Sequence, residues 1–457
     1  MPHLDRWSKL EQRAAFSIAM IYAVRMIGLF MILPVFALYA ETLPDSTPVL
    51  AGIALGIYGL TQGLLQIPYG MLSDKYGRKL MITLGLVIFA LGSLLAAGSE
   101  SIYGIIIGRA LQGSGAIAAT LMALAADLSR EEHRLKMMGF IGVSIGFSFA
   151  LAMVLGPVLS SHIGVPGLFV FTAVMAVMAI VVLFTLVPDP ENSIFHRDAQ
   201  AVPTEFRDVL ADHQLLRLNL GIFVLHLVLM ASFMAIPPML QGELGFDVAQ
   251  HWKLYLPVFL VSVVLMVPFI ILAEKRRRMK QVFIGAIGTL IIAELGLLIQ
   301  PDTVFQVGLI LVIFFTAFNL LEASLPSLVA KMAPADRKGT AMGLYSSGQF
   351  LGAFVGGGMG GFSYQHWGSE GVFIACAVAI CVWLLAAVSM KNPRYLSTYL
   401  LNIGPIEPAQ VNPMISELVS VRGVAGASIE AGAGIAYLKV ELHALDEAKL
   451  LEFSINK

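Results

Sequence analysis

The stretch "GMLSDKYGRK", from Gly70 to Lys79, decides the fold because it is a dense group of charges between two long apolar runs. It holds one acid and three bases, and glycines bracket the acid and precede the arginine. The apolar runs on either side, 50–72 and 80–98, are each about 20 residues long, which is the length of a helix that crosses a bilayer. The stretch is therefore predicted to be a short polar connection at a membrane surface.

The composition of the whole chain agrees with this interpretation. Of 457 residues, 58% are hydrophobic and 13% are charged, and the mean hydropathy is +0.82. Soluble domains carry about 25% charged residues. The apolar runs are continuous rather than alternating, so they predict transmembrane helices and not a β-barrel. Both cysteines lie inside one apolar run, which argues against a disulfide framework or a thiolate metal site.

Twelve apolar runs are long enough to span a bilayer. They are 14–40, 50–72, 80–98, 102–128, 136–160, 166–187, 217–241, 253–273, 281–299, 303–330, 339–363 and 370–389. The longest polar gap, 188–216, divides them six and six. The predicted domains are therefore an N-terminal six-helix bundle (1–187), a cytoplasmic linker (188–216), a C-terminal six-helix bundle (217–391) and a cytoplasmic domain (392–457).

The basic residues between these runs support the same map. Alternate polar segments together carry 22 lysines and arginines, whereas the segments between them carry only Lys253. A wrong helix count would have destroyed this alternation. Because cytoplasmic loops are enriched in lysine and arginine, both termini and the linker are predicted to be cytoplasmic.

The two halves of the chain resemble each other. "LSDKYGRK" aligns with "LAEKRRRMK", which pairs Asp74 with Glu274 and Arg78 with Arg278. The stretch 139–169 also aligns with the stretch 204 residues further along, with identical residue types at six positions: Gly139, Gly156, His162, Gly164, Gly167 and Phe169. Duplicated six-helix halves are typical of secondary transporters that work by alternating access.

The composition changes after the last apolar run. From about Thr398 the pattern predicts strand, helix, strand, strand and helix, with a glycine-rich hairpin at 430–434 and Asp446 as a helix N-cap. This is a small α+β domain of ferredoxin-like type, although the closing strand of that fold is not visible before Lys457. Such a sheet can bind another protein or a second copy of the chain.

Charged and polar residues inside the predicted spans are candidates for function, because they are costly in a bilayer. Six of them form a candidate pathway for a proton or substrate: Arg25, Arg109, Gln112, His226, Asn319 and Glu322. Glu322 is the preferred proton carrier, and Arg25 is the corresponding cation. Arg109 is equally well explained as a structural donor to helix carbonyls, and His226 as a hydrogen-bonded packing residue.

Glycine is concentrated in the second and eleventh runs. The eleventh has a glycine at every fourth position: Gly348, Gly352, Gly356 and Gly360. Small residues at this spacing let helices approach closely. Gly352 and Gly356, together with Gly156 and Pro157 in the fifth run, are therefore predicted packing and hinge positions.

Three motifs resemble those of the major facilitator superfamily. The opening stretch resembles motif A, whose key positions are filled by Gly70, Asp74, Gly77, Arg78 and Lys79. "RALQGSGAIA", from Arg109, resembles the RxxQG motif in span four of proton-coupled drug antiporters. "GFSFALAMVLGP", ending at Gly156–Pro157, resembles antiporter motif C, with Ser160 and Ser161 where that motif has glycines.

This resemblance implies an all-α membrane protein with twelve transmembrane helices in two pseudo-repeats, located in a bacterial inner membrane. It implies proton-coupled efflux of small apolar or cationic compounds, with the lipid bilayer, a substrate and protons as partners. In the family, motif A works with an acid at the inner end of span four, here Asp127. Asp74, Arg78 and Asp127 would then form a conformational latch.

Two alternatives stay open at this point. One is a proton-coupled symporter of metabolites or sugars, although the spans are rich in apolar side chains rather than in the polar ones of a sugar pocket. The other is a transporter-like sensor that acts through the C-terminal domain. An enzyme is excluded because the sequence contains no recognisable nucleophile, metal cluster or phosphate loop, and no metal, cofactor or nucleic acid is predicted to bind.

Overall fold

The computed structural model describes residues 7–189, 201–334, 337–392, 396–432, 434–441 and 444–455. In this part of the chain, ten continuous helices are long and apolar enough to cross a membrane. They are Lys9–Ala40, Pro48–Tyr76, Arg78–Ala97, Ile102–Asp127, Lys136–Thr185, His213–Glu243, Val248–Lys275, Met279–Leu298, Val304–Met332 and Lys338–Val388. Two of them, with 50 and 51 residues, are far longer than one crossing needs.

Each of these two long helices is broken at a single glycine. Gly164 has φ 70° and ψ 173°, and Gly368 has φ 63° and ψ −159°. This backbone region is open almost only to glycine, so the chain reverses there without a loop. Each long helix is therefore two spans, which confirms the predicted total of twelve. Spans are numbered below in chain order, with span 5 at 136–163 and span 11 at 338–367.

The two halves meet most closely where span 2 packs against span 11. A Cβ atom on Gly357 would lie 2.3 Å from the carbonyl oxygen of Gly52, and one on Gly361 would lie 2.2 Å from that of Pro48. No side chain fits at these positions, so the two backbones touch. Span 2 begins and span 11 ends on the side opposite the N-terminus of span 1, and this contact closes that side. It is called the outer side below, and the side of the N-terminus is called the inner side.

The other predicted packing glycines join helices within one half. Cβ atoms on Gly352 and Gly356 would lie 2.1 Å and 2.2 Å from carbonyl oxygens of span 7. One on Gly156 would lie 2.1 Å from the Met31 carbonyl oxygen in span 1. The backbone is helical at all three positions, and the breaks of these helices lie further on, at Gly164 and Gly368.

Short elements lie between span 6 and span 7. A 3₁₀ turn, Pro203–Glu205, leads into the helix Phe206–Ala211. Glu205 accepts a hydrogen bond from Thr340 at the start of span 11 (2.7 Å), and Asp208 pairs with Arg337 (3.0 Å). The described part of the linker is thereby attached to the C-terminal half.

The C-terminal domain, called the tail below, contains strands β1 (Ser397–Asn402), β2 (Val424–Glu430) and β3 (Ile435–Val440) and helices Val411–Ser420 and Glu447–Leu451. The antiparallel sheet has the order β1-β3-β2. Both helices cover one face of it, and Asp446 caps the second by accepting from the Lys449 N–H at 3.1 Å.

The tail also shows where a closing strand would lie. The Ile455 N–H donates to the Asn402 carbonyl oxygen at 3.0 Å, beside the outer edge of β1. The chain therefore returns to the position of a fourth ferredoxin-like strand, and the described residues make one such bond there. The predicted α+β fold of the tail is confirmed.

Candidate functional site

The motif A stretch forms a very tight connection between spans 2 and 3. Span 2 ends at Tyr76 and span 3 begins at Arg78, so only Gly77 lies between them. Gly77 has φ 95°, and its N–H donates to the Ser73 carbonyl oxygen at 3.0 Å. A side chain at this φ would be strained. The turn brings Asp74, in the last turn of span 2, next to Arg78.

Arg78 lies between two carboxylates. It forms ion pairs with Asp74 and with Asp127, the second with 3.0 Å between Nε and Oδ2, and it donates to the Ser73 hydroxyl. The side chains of Arg78 and Asp127 are 2% and 0% exposed, whereas that of Asp74 is 33% exposed. This motif A cluster (Ser73, Asp74, Arg78, Asp127) holds the inner ends of spans 2, 3 and 4 together, and it contains the three residues that were predicted to meet.

Lys79 extends these contacts to span 6. Its Nζ donates to the Val187 carbonyl oxygen at 2.8 Å and pairs with Asp189 at 2.6 Å. The partners identified for the stretch 70–79 in the described residues all belong to the N-terminal half. In this conformation the cluster therefore makes one half rigid, and any latch between the halves would need contacts made in another conformation.

The corresponding stretch of the C-terminal half has a different pairing. Glu274 accepts from Lys331, at the inner end of span 10, with both oxygens at 2.8 Å. Lys331 therefore has the position in the second half that Asp127 has in the first. The signs are exchanged, since the residue on span 10 is a base paired with an acid, and the residue on span 4 is an acid paired with a base. The second half does repeat the charges of Asp74 and Arg78, but the partner of Glu274 in the structure is Lys331 rather than Arg278.

A second inner cluster was not predicted. Glu11, which is 2% exposed, accepts from the Arg130 guanidinium at 3.0 Å and lies 3.0 Å from His133 Nδ1. It connects the start of span 1 to the connection between spans 4 and 5. The sequence did contain a signal, because Ser8 and Glu11 have the spacing of a capping box, which both side chains form.

Two of the predicted pathway residues of the C-terminal half, His226 and Glu322, lie close together in the structure. Gln349 Nε2 lies 2.8 Å from His226 Nε2 and 3.3 Å from Glu322 Oε1, and His226 Nδ1 lies 3.9 Å from Glu322 Oε2. This Glu322 cluster (His226, Glu322, Gln349) joins spans 7, 10 and 11. The Glu322 side chain is 36% exposed although it lies inside an apolar span, so the side chain borders open space, whereas its Oε2 atom is buried.

Gln349 was not predicted because the sequence places no charged residue within one helical turn of it, unlike Gln112 and Asn319. Asn319, the third predicted residue of this region, lies one turn from Glu322. Its amide donates to the Ser262 hydroxyl of span 8 at 3.3 Å. Asn319 therefore connects the neighbourhood of the Glu322 cluster to a fourth helix.

An aromatic wall borders the Glu322 cluster and is shared by both halves. Phe149 of span 5 lies 5.6 Å from Phe259, 6.2 Å from Phe315 and 6.0 Å from Phe318 between ring centroids. The Phe318 ring is in turn 6.0 Å from the ring of His226. Buried aromatic rings from both halves and a partly exposed glutamate side chain therefore lie side by side.

Arg25 lies in the N-terminal half and is 1% exposed. It donates to Gln62, and its guanidinium lies 5.8 Å from the centroid of Phe89. One turn further inward, Gln66 donates to the Ser347 hydroxyl of the opposite half at 2.9 Å. Span 2 therefore presents two amides at helical spacing, one toward Arg25 and one toward span 11.

Arg109 and Gln112 are embedded within the N-terminal half. Arg109, 1% exposed, donates to the Ala54 and Leu55 carbonyl oxygens and, at 2.9 Å, to Gln112 Oε1. Gln112 donates to the Ser93 hydroxyl at 2.7 Å. These partners belong to spans 2, 3 and 4, an arrangement that favours the structural alternative for Arg109.

Glu294 is the other acid inside a span. It is 0% exposed and accepts from the Ser232 hydroxyl at 2.9 Å, within the C-terminal half. These two intramembrane acids thus differ, because the Glu322 side chain is 36% exposed and Glu294 is enclosed by protein.

Comparison with known proteins identifies the family. The family model described as "Major Facilitator Superfamily" matches residues 18–327 and 218–429. The chain is 45% identical over 431 residues to the inner membrane transport protein YajR of Escherichia coli (strain K12), and the match covers 94% of each chain. It is 36% identical over 385 residues to an uncharacterized transporter of Buchnera aphidicola subsp. Baizongia pistaciae (strain Bp), covering 83% of this chain and 96% of the relative.

Solved structures share the fold. A bacterial homolog of the human lysosomal transporter Spinster, in an inward-facing and unoccupied conformation, matches with a TM-score of 0.69 at 16% identity, covering 85% of this chain and 99% of that one. At this identity the likeness concerns the fold alone. Together with the curated relatives, it makes the chain a multi-pass membrane transport protein and not an enzyme.

Proposed function

The chain belongs to the Major Facilitator Superfamily, and from this premise we propose that it exports small apolar or cationic compounds in exchange for protons. The observation that carries the proposal is the Glu322 cluster, in which a partly exposed glutamate side chain inside an apolar span lies beside an aromatic wall. Aromatic faces and a carboxylate both attract organic cations, and intramembrane acids mark proton pathways. One group can therefore serve both ligands.

Competition for Glu322 would couple the two movements. The ionised carboxylate binds a cationic substrate, and protonation removes the charge that held it. His226 and Gln349 position the carboxyl group from spans 7 and 11, so its protonation state can influence helices that line the interface between the halves. The glycine contact between spans 2 and 11 closes the outer side in the conformation described, so release outward requires that contact to open.

We infer an inner-membrane location with both termini and the linker in the cytoplasm. The name of the Escherichia coli relative supports the membrane, and the distribution of 22 basic residues against one supports the orientation. In this orientation the motif A cluster lies on the cytoplasmic side.

The test is substrate flux in proteoliposomes under an imposed pH gradient, with a panel of lipophilic cations and neutral compounds. Glu322→Gln is expected to reduce gradient-driven flux to the level of empty vesicles. Glu294→Gln is the matched control, since it neutralises an intramembrane acid that faces no open space, and flux should persist. Loss of coupling in Glu294→Gln with retention in Glu322→Gln would contradict the proposal, and accumulation in the opposite direction would indicate a symporter.

A further inference from the structure

The sheet of the tail has two unlike faces. On one face, Leu401, Leu438 and Ala427 pack with the two tail helices. The other face, called the open face below, is formed by the alternate residues of the strands. It carries Leu400, Ser428, Tyr437, Lys439 and Glu441, the last of which follows β3 directly. The tail helices do not cover this face.

The open face is nevertheless not exposed at its centre. Tyr437 points away from the apolar core of the tail, and yet it is only 6% exposed. In an isolated three-stranded domain, the ring of a central open-face tyrosine would be in water. Its burial indicates that something outside the tail core covers this face.

Two contacts identify what lies against it. The Lys439 Nζ donates to the carbonyl oxygen of Ala330, at the inner end of span 10, at 3.0 Å. The Glu441 carboxylate lies 3.5 Å from the Arg277 guanidinium, in the connection between spans 8 and 9. Successive outward positions of one strand thus reach two different elements of the C-terminal half.

The tail and the 275–280 connection carry opposite net charges. Residues 396–455 contain seven acids and three lysines and arginines, whereas 275–280 contains five bases in six residues. Attraction between such segments steers them together and fixes their register. An exposed ion pair contributes about 0.2–1 kcal/mol, so the Glu441–Arg277 pair aligns the two, and the burial of Tyr437 indicates that the covered area extends beyond this pair.

We infer that the open face is a docking surface for the C-terminal half of the same chain, with 275–280 and the inner end of span 10 as its partner. The two contacts flank the Glu274–Lys331 pair, the counterpart of the motif A cluster. A docked tail therefore touches both elements that this pair connects. The C-terminal half, rather than a second copy of the chain or another protein, is thus the partner that binds the open face. This inference does not depend on which substrate is transported.

Cysteine crosslinking in native membranes tests the assignment. Glu441 and Arg277 are 47% and 49% exposed, so Glu441→Cys with Arg277→Cys should fold, in a background where Cys381, the exposed natural cysteine, is serine. A short bifunctional thiol reagent should yield the crosslinked peptide pair in the monomer band. The matched control pairs Arg277→Cys with Glu417→Cys, on the tail helix behind the sheet.

The expected yield is about tenfold or more above the control, because docked groups react at an intramolecular effective concentration in the mM range. A yield equal to that of the control would overturn the inference. So would crosslinks confined to a dimer band, which would assign the face to a second copy. A charge exchange (Glu441→Arg with Arg277→Glu) should retain docking, and Glu441→Arg alone should weaken it, read out by crosslinking between other cysteines on the same surfaces.

Discussion

Arg78 is held by two carboxylates that differ in burial, and this difference predicts unequal effects of neutralising them. Asp127→Asn removes a fully buried charge beside an arginine that is itself 2% exposed, and breaking such a pair costs about 3–5 kcal/mol. Asp74 is one-third exposed, so Asp74→Asn should cost about 1 kcal/mol or less. Thermal unfolding in detergent should therefore give a clearly lower Tm for Asp127→Asn. Equal losses would show that the two pairs are equally desolvated.

For individual residues, the sequence allowed candidates to be chosen where a charged side chain lies in an otherwise apolar run. Asp74, Arg78 and Asp127 were expected to meet because the stretch 70–79 resembles motif A, whereas Glu322 and His226 were separate candidates. Gln349 was not predicted because, unlike Gln112 and Asn319, it has no charged residue within one helical turn in the sequence. The partner of Glu274 could not be predicted, because matching charges between repeats does not show which neighbouring helix supplies the countercharge, and here span 10 supplies Lys331.

Among the elements, span 11 uses adjacent glycines for two different purposes. Gly356 faces span 7 within its own half, and Gly357 faces span 2 across the interface. Placing valine at either position forces backbones apart, at a cost of about 1–3 kcal/mol. Gly356→Val should therefore lower Tm. Gly357→Val should instead favour an outer-open conformation by roughly five- to hundredfold, since 1.4 kcal/mol is tenfold.

A cysteine at Ala51 reports this opening. Ala51 is 3% exposed and lines a small outer pocket between the halves, beside Pro238 and Tyr364. Its reaction with a membrane-impermeant thiol reagent should accelerate in the Gly357→Val background and not in the Gly356→Val background, with Cys381 replaced by serine. Equal acceleration in both would contradict the division of roles.

The elements themselves were largely predictable, because continuous apolar runs and the alternation of basic residues define twelve spans. The sequence did not show that spans 5 and 6, and spans 11 and 12, follow each other without a loop. Gly164 and Gly368 were visible as one of the repeated pairs, but glycine also serves helix packing. Only the backbone conformation distinguishes a packing glycine from a turning one.

For the whole molecule, docking of the tail predicts a dependence on pH. Burial, and then the nearby charge of Lys338, lowers the pKa of Lys439 to about 8. Other groups at the dock are the Ala330 carbonyl, Glu441 and Arg277. An undocked Lys439 ammonium group has its ordinary pKa, near 10.5, so the docked state binds the proton of this group less tightly than the undocked state. Docking should therefore strengthen as pH rises from 8 toward 10.

The extent of docking at each pH can be measured in lipid nanodiscs with one spin label at Ser416 on the tail and another at Gln281, at the inner end of span 9. The short-distance population should increase with pH in the parent protein. With Lys439→Met it should stay constant over the same range. If the short-distance population decreased as pH rises, docking would bind a proton rather than release one, and the prediction would be wrong.

The glycine contact between spans 2 and 11 has a consequence for the conditions in which the protein works. Backbone surfaces in van der Waals contact carry no net charge, so dissolved ions have nothing to screen there. The inner ends of the spans, in contrast, are held by ion pairs such as Arg78–Asp127 and Glu11–Arg130. In the proposed orientation the glycine contact faces the external medium, so closure there should be insensitive to salinity, whereas the ion pairs on the cytoplasmic side should weaken as salt rises.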